Sequence, residues 1–114
     1  MGDGAPALSD DDLLRVLKAL ADPTRFKITQ EIAIAGELSC GQVQELFDVS
    51  QPTISHHLKV LQDAGVLVRR AEGKHHYTSV NRALVVAVAD LLPVRLGPDA
   101  RRKRARSAGA GEDK

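Results

Sequence analysis

Hydrogen-bonding and basic side chains are concentrated in one stretch of this chain, 50–79, where their types suit contacts with double-stranded DNA. Amide, hydroxyl and imidazole groups can read base edges, and Gln51 can make the bidentate contact that favours adenine. Lysine and arginine suit phosphate oxygens, where they release condensed counterions and make the affinity fall with salt. The residues that we predict to bind DNA are Gln51, Thr53, Ser55, His56, Lys59, Arg69, Arg70, Lys74 and His75.

Part of this set shares one side of a predicted helix. At about 100° per residue, Thr53, His56 and Lys59 lie together, with Ser55 at the edge of their arc. The opposite, core-facing side holds Ile54, Leu58 and Leu61. His57 lies near the edge of the apolar side, and we interpret it as a partly buried packing residue rather than a base reader. An ordinary amphipathic helix with a solvated polar face shows the same pattern, so the helix alone does not decide the function.

The capping and turn signals around these residues predict a helix, a glycine stop and a basic hairpin. We expect the helix to begin after the N-cap Ser50, with Pro52 in its first turn, and to stop at Gly65. A strand, a turn and a returning strand follow, over 66–70, 72–74 and 75–80. A charged hairpin often serves only solubility, but its place directly after the polar helix favours a role in DNA binding.

Earlier segments carry the patterns of three more helices. The first is predicted over Ser9–Leu20, from a capping serine, acidic first-turn residues and an apolar stripe. An Asp-Pro pair at 22–23 starts the second, which extends to near Gly36. Ser39 and Gln42 form a capping box for a short third helix. The side chains that this third helix is predicted to bury are Val43, Leu46 and Phe47. Together with the polar helix that follows, it predicts a helix-turn-helix.

A fifth helix is predicted from the N-cap Asn81 through Leu92, with Pro93 ending it. It is apolar on nearly every side, so in a small domain it would expose apolar surface unless something covered it. Burial within its own protomer is one interpretation; we favour a homodimer interface shared with the first helix. The predicted interface residues are Leu13, Leu17, Leu84, Val85, Val88, Leu91 and Leu92.

These elements predict a mainly α fold with a small β-hairpin. The fold class is a homodimeric winged helix-turn-helix, with about five helices and a two-stranded wing. The predicted domain spans 9–92. A flexible leader, 1–8, precedes it, and the basic tail, 93–114, is charged and poor in apolar residues, which predicts disorder.

Composition narrows the function classes. Only three of the 114 residues are aromatic, which argues against the stacking platforms of single-strand binders. The net charge is +1, but acidic residues crowd the first quarter and basic ones the helix, hairpin and tail, so the balanced total hides a basic face. No segment approaches the roughly 20 apolar residues of a membrane span, and the N-terminus lacks a signal-peptide pattern. With Cys40 as the single cysteine, we expect a cytoplasmic protein.

The same residues resemble the ArsR/SmtB family of dimeric winged-helix transcription regulators, over about 13–81. The motifs that carry the resemblance are LKALADPTR at 17–25, SQPTISHHL at 50–58 with Leu61, AGVL at 64–67 and the arginine pair at 69–70. The resemblance implies a homodimer on an operator with pseudo-twofold symmetry. Such proteins are usually repressors that release DNA when an effector binds.

The chain departs from the family at its usual metal sites. Metal-sensing members often carry a Cys-x-Cys element on the third helix, whose positions here are Ser39 and Gly41, with Cys40 between them. The fifth helix offers only Asp90 where other members bind zinc or nickel through Asp and His pairs. Neither adjacent histidine pair, 56–57 or 75–76, can chelate one ion by itself, because its members point in different directions. We therefore predict no metal or other cofactor.

Three alternatives remain open. The chain could be a nickel-, zinc- or redox-responsive sensor that uses histidines and Cys40. Sensing could lie in a separate effector-sensing partner protein, or the fold could be a protein-interaction module that has lost DNA reading. An enzyme is not expected, because no general base or oxyanion site can be placed beside Cys40.

Overall fold

A computed structural model describes residues 8–98, which form five helices and three strands. In chain order they are α1 Asp10–Ala21, α2 Pro23–Ala35, β1 Leu38–Ser39, α3 Cys40–Leu46, α4 Gln51–Asp63, β2 Leu67–Glu72, β3 His75–Val80 and α5 Arg82–Leu96. This confirms the predicted mainly α winged helix-turn-helix. The predicted tail beyond residue 98, and the predicted leader except for Leu8, lie outside the described residues. No helix between residues 8 and 98 is long and apolar enough to cross a membrane.

Local capping sets the start of each of the first four helices. The N-caps are Ser9, Asp22, Ser39 and Ser50, and each side chain accepts a hydrogen bond from the backbone N–H three residues later. These bonds satisfy donors that would otherwise lack a partner in the first turn. In α3 the predicted capping box is present, because the Gln42 side chain accepts from the Ser39 N–H at 2.8 Å. Each of these helix starts is therefore determined by residues within three positions of the N-cap.

The end of α4 is set by Gly65, as predicted. Gly65 has a φ of +87°, a left-handed conformation that residues with a Cβ rarely adopt. Its N–H donates to the Gln62 carbonyl at 2.9 Å, and the Val66 N–H donates to the Leu61 carbonyl at 2.9 Å. This pair of bonds is a Schellman motif, and Leu61 and Val66 are both fully buried beside it. The chain thus leaves α4 in a fixed direction and enters the wing.

The wing belongs to a three-stranded antiparallel sheet with the order β1-β3-β2. The hairpin of β2 and β3 was predicted, but β1 was not, because its two residues are too few to show an alternating pattern. Leu38 pairs with Thr78 and Ser39 pairs with Tyr77. This pairing joins the base of the wing to the segment that leads into α3.

One apolar core holds the helices and the base of the sheet together. Its fully buried side chains are Val16, Ile28, Ile32, Val43, Ile54, Leu61 and Val66. The predicted burial of Leu46 is wrong, since its side chain is 53% exposed, whereas Phe47 packs against the core. Leu46 is the last residue of α3, and Val43, one turn earlier on the same side, is the residue of this helix that is buried in the core. The core therefore fixes α4 through one face and leaves its other face free.

The predicted end of the fifth helix is wrong. Helix α5 continues through Pro93 to Leu96, although proline cannot donate the hydrogen bond of its turn. Arg95 in the last turn donates to Asp10 Oδ1 at 2.9 Å and to the Leu8 carbonyl at 3.1 Å. These contacts hold the end of α5 against the start of α1 and favour the extra turn beyond Pro93. They also place Leu8, predicted to belong to a flexible leader, in contact with the domain, where it packs against the core.

Candidate nucleic-acid interface

The polar side of α4 is exposed, and its apolar side is buried. Ile54 and Leu61 have no exposed surface and Leu58 is 5% exposed, as the predicted stripe requires. The exposed residues on this helix include all five that we predict to contact DNA, namely Gln51, Thr53, Ser55, His56 and Lys59. Because the buried side locks the rotation of the helix, these side chains face solvent from a fixed position.

Two of these side chains already have partners within α4. The hydroxyls of Thr53 and Ser50 lie 2.9 Å apart, so Thr53 also takes part in the cap of its helix. Lys59 Nζ lies 3.3 Å from Asp63 Oδ2, in a pair whose side chains are 73% and 65% exposed. Exposed single-contact ion pairs of this kind contribute about 0–1 kcal/mol. Lys59 can therefore exchange Asp63 for a phosphate at little cost.

Strand alternation divides the basic residues of the wing between two faces. Arg69 pairs with Thr78, so their side chains lie on the same face of the sheet. Thr78 is buried, which shows that this is the face that packs on the core at the base of the wing. Arg70 pairs with Tyr77 on the opposite face. Lys74 follows Gly73 in the connecting turn, and His75 begins β3. All four predicted DNA-binding residues of the wing, Arg69, Arg70, Lys74 and His75, are exposed.

Arg70 differs from the other predicted contacts because acidic side chains surround it. Its Nε and Nη2 donate to the two carboxylate oxygens of Glu37, each at 2.9 Å, and its Nη1 donates to Glu72 at 2.6 Å. Its guanidinium carbon also lies 4.9 Å from the centre of the Tyr77 ring. The hydrogen bonds from Arg70 lower the pKa of the Glu37 carboxyl, and the same bonds raise the pKa of Arg70 above its ordinary value. The charge predicted to meet phosphate is exposed but is already paired with acidic side chains of the protein.

Arg25 on α2 contacts α4 beside the polar face and was not predicted to take part in the site. Its Nε and Nη2 donate to the Ala19 and Lys18 carbonyls of α1, at 2.7 and 3.3 Å. Its Nη1 lies 3.5 Å from Nδ1 of His57, which is half-buried as predicted. The backbone N–H of Arg25 donates to Asp22 and, as the first cause, lowers the pKa of that carboxyl. Only the three-dimensional fold reveals this role, because 32 positions separate Arg25 and His57.

The predicted dimer residues fall into two groups. Leu13 and Val88 are 5% and 7% exposed, because they pack in the core of their own protomer and leave almost no surface for a partner. The partly exposed group comprises Leu17, Leu84, Val85, Leu91 and Leu92. The structure adds exposed apolar residues that the prediction omitted, Leu14 at 50% and Val86 at 56%. Apolar surface on α1 and α5 therefore remains at five of the seven predicted positions and extends to Leu14 and Val86.

The thiol and imidazole groups of residues 8–98 do not assemble a metal centre. No group of three or more His, Cys, Asp or Glu side chains in this part of the chain has metal-binding geometry. Ser39 caps α3 and Cys40 is its first residue, so this helix start presents one thiol. The tight sites for soft metals are built from several thiolates or imidazoles. The residues here do not fit the Cys-x-Cys site of metal-sensing relatives.

Comparison with known proteins agrees with this fold. A family model described as a helix-turn-helix domain matches residues 20–70. The transcriptional repressor SdpR of Bacillus subtilis is 39% identical over 70 residues, which are 61% of this chain and 77% of that protein. The putative arsenical resistance operon repressor ArsR of Halobacterium salinarum is 44% identical over 89 residues, which are 75% of this chain and 67% of that protein.

A solved structure shows the same architecture. It is the homodimeric winged helix-turn-helix DNA-binding domain of Mb0332 from Mycobacterium bovis, a possible ArsR-family transcriptional regulator. The two share 30% identity with a TM-score of 0.59, over 76% of this chain and 92% of that chain. Family and fold are those of a DNA-binding transcriptional regulator rather than an enzyme. This chain belongs to the ArsR/SmtB family of winged helix-turn-helix transcriptional regulators.

Proposed function

We propose that this protein binds a specific double-stranded DNA operator as a homodimer and represses transcription from it. The observation that carries the proposal is the exposed polar side of α4, which begins at a capped, rigid end. In helix-turn-helix proteins the first residues of the second helix contact base edges in the major groove. Gln51, Ser55 and His56 supply the donors and acceptors for such contacts, and all three face solvent.

Cations on α4 and on the wing support contact with the DNA backbone. Lys59 is released from its single exposed partner at little cost, and Arg69 and Lys74 project from the wing. Each phosphate contact of this kind makes the logarithm of the affinity fall by about 0.9 per unit of log salt concentration. We propose that these three residues position the protein and that the polar residues of α4 select the sequence.

Apolar surface on α1 and α5 supports the homodimer. Val85 and Val86 of α5 also line an open groove of about 330 Å³, together with Ala33, Gly36, Val80 and Arg82. Exposed apolar side chains on two terminal helices are costly unless a partner covers them. The structural relative Mb0332 is homodimeric. A twofold dimer presents two copies of α4, so we propose a pseudo-palindromic operator.

We propose that the protein works without the metal sites usual in its family, because one thiol at the start of α3 replaces the Cys-x-Cys pair. Calorimetry with nickel and zinc tests this, and stoichiometric tight binding would contradict it. The effector is then either a ligand of another kind or a separate sensing protein. Since a repressor must share a compartment with its operator, we also propose a cytoplasmic location.

The decisive experiment is footprinting of the purified full chain on genomic DNA, followed by titration of the recovered operator and a shuffled version. Gln51→Ala and His56→Ala should weaken operator binding about tenfold, because a good base contact contributes about 1–3 kcal/mol. Gln30→Ala, at an exposed glutamine of α2, is the matched control and should bind like the wild type. The homodimer should persist in all three variants. Equal affinity of the wild type for operator and shuffled DNA would refute the proposal.

A further inference from the structure

Arg70 and Glu37 connect the wing to the segment between α2 and β1. Their two parallel hydrogen bonds, each 2.9 Å long, form the planar fork that arginine and carboxylate make best. Glu72 and the Tyr77 ring hold the remaining sides of the guanidinium. Residues 37 and 70 are 33 positions apart, so the fork is a tertiary contact and not a feature of the hairpin alone.

The charge of this cluster opposes a role in phosphate binding. One arginine and two glutamates give the group of Arg70, Glu37 and Glu72 a formal charge of −1. Releasing Arg70 to a phosphate would break three hydrogen bonds and leave two carboxylates facing the DNA backbone. Lys59 gives up only one exposed contact. Of these two cations, Arg70 is therefore the one whose bonds within the protein oppose phosphate binding.

The fork also completes a closed set of contacts at the base of the wing. Glu37 immediately precedes β1, Ser39 of β1 pairs with Tyr77, and Tyr77 pairs with Arg70. Ser39 in turn caps α3, the first helix of the helix-turn-helix. The orientation of the wing is thereby linked to α3, which packs beside α4. A binding surface whose parts are fixed before contact loses less entropy on association.

We propose that Glu37 is a positioning residue, which acts through Arg70 to fix the wing at the angle that operator binding requires, and that Arg70 contacts no phosphate. This inference rests on the proposed DNA-binding function. It replaces the sequence-based prediction that Arg70 binds DNA. The remaining cations of the wing, Arg69 and Lys74, then make its backbone contacts.

The test compares Arg70→Lys with its neighbour Arg69→Lys in the full chain. Both variants keep the positive charge, and lysine can replace arginine at a phosphate but cannot form the two-bonded fork. We expect Arg70→Lys to weaken operator binding about tenfold, equivalent to about 1.4 kcal/mol. Arg69→Lys should stay close to the wild type. Wild-type affinity in Arg70→Lys would overturn the proposal.

Glu37→Gln is a second test, in which electrostatics alone and loss of the clamp predict opposite changes in operator affinity. Loss of a negative charge beside the DNA surface would by itself strengthen binding, but loss of the clamp should weaken operator binding about tenfold. Affinity for shuffled DNA should not fall and the salt dependence should not change, because the phosphate contacts are the same. A purely structural defect would lower the affinities for operator and shuffled DNA together. Tighter operator binding would instead show that the clamp is not required, which overturns the proposal.

Two further measurements separate this inference from the proposed function. The double variant Glu37→Gln/Arg70→Lys should bind no more weakly than either single variant, because both remove one contact. In the free protein, either single variant should speed amide hydrogen exchange over 71–76 without changing it in α4. Unchanged exchange would overturn the clamp even if the wild type bound its operator. Failure of the wild type to distinguish operator from shuffled DNA would refute only the proposed function.

Discussion

The Asn81 side-chain amide donates through Nδ2 to the Gly65 carbonyl at 3.1 Å. Its Oδ1 accepts from the Leu84 N–H at 3.2 Å, and its backbone N–H donates to the Val66 carbonyl at 2.8 Å. One half-buried residue thus joins the end of α4, the entry to the wing and the start of α5. The helix proposed to read DNA is therefore bonded to the helix proposed to dimerise.

Asn81→Ala should lower the free energy of unfolding by about 2 kcal/mol, because it removes a helix cap and leaves the Gly65 carbonyl without its donor. Asn81→Asp is the matched variant, since its carboxylate still accepts from Leu84 but cannot donate to Gly65. We expect it to lose about 1 kcal/mol. Urea denaturation followed by circular dichroism measures both. Equal stability of Asn81→Ala and the wild type would contradict this role.

Gly65→Ala should destabilise the protein more than Gly73→Ala. Both glycines have positive φ, +87° and +62°, which costs a residue with a Cβ about 1–2 kcal/mol. A Cβ at Gly65 would also lie 3.2 Å from Leu84 Cδ2, whereas one at Gly73 would meet nothing within 4 Å. The melting temperatures of the two variants give the comparison. If Gly73→Ala melts lower, packing at the end of α4 is not the cause.

Val86→Glu should dissociate the homodimer, because it places a charge on the exposed apolar face of α5. The matched control is Val68→Glu, on the wing, where the native valine is 46% exposed against 56% for Val86. Sedimentation velocity should show monomers for Val86→Glu and dimers for the control. A dimeric Val86→Glu protein would place the interface elsewhere, and a monomeric wild type would refute the homodimer itself.

The stability of the protein should depend on acid through Glu37. Hydrogen bonding from Arg70 lowers the pKa of Glu37 below its ordinary value of 4.5. The contribution of the carboxylate is therefore present above pH 4.5 and is lost as the pH falls through the lower folded value. Glu37→Gln should be less stable than the wild type at neutral pH, and the difference should shrink on acidification. A constant difference in urea midpoints across this range would contradict the prediction.

Local signals in the sequence predicted the parts of the fold that depend on neighbouring residues. The caps at Ser39 and Ser50 and the stop at Gly65 each involve groups within five positions of one another, and the apolar stripe of α4 repeats every three or four residues. The exposed polar residues of α4 followed from the same stripe, because the buried side determines the other. Their contacts with DNA remain a prediction.

Tertiary contacts decided the features that the sequence did not predict. β1 forms where two residues pair with β3, and the turn of α5 beyond Pro93 is held to the start of α1 by Arg95. Arg70 looked like any basic residue of a hairpin until the fold brought Glu37 to it. A single sequence shows which residues carry charge, but not which of those charges are already neutralised.

The pairing of β1 with β3 supports the base of the wing and leaves only its tip unsupported. β1 pairs with Thr78 and Tyr77, so only the ribbon from Ala71 to His76 extends beyond its support. Such a short unsupported ribbon bends little, so we expect Lys74 in its turn to keep a nearly constant direction. If Lys74 contacts the DNA backbone as proposed, a groove of the wrong width must deform to meet it, and we expect DNA flexibility to contribute to the choice of operator.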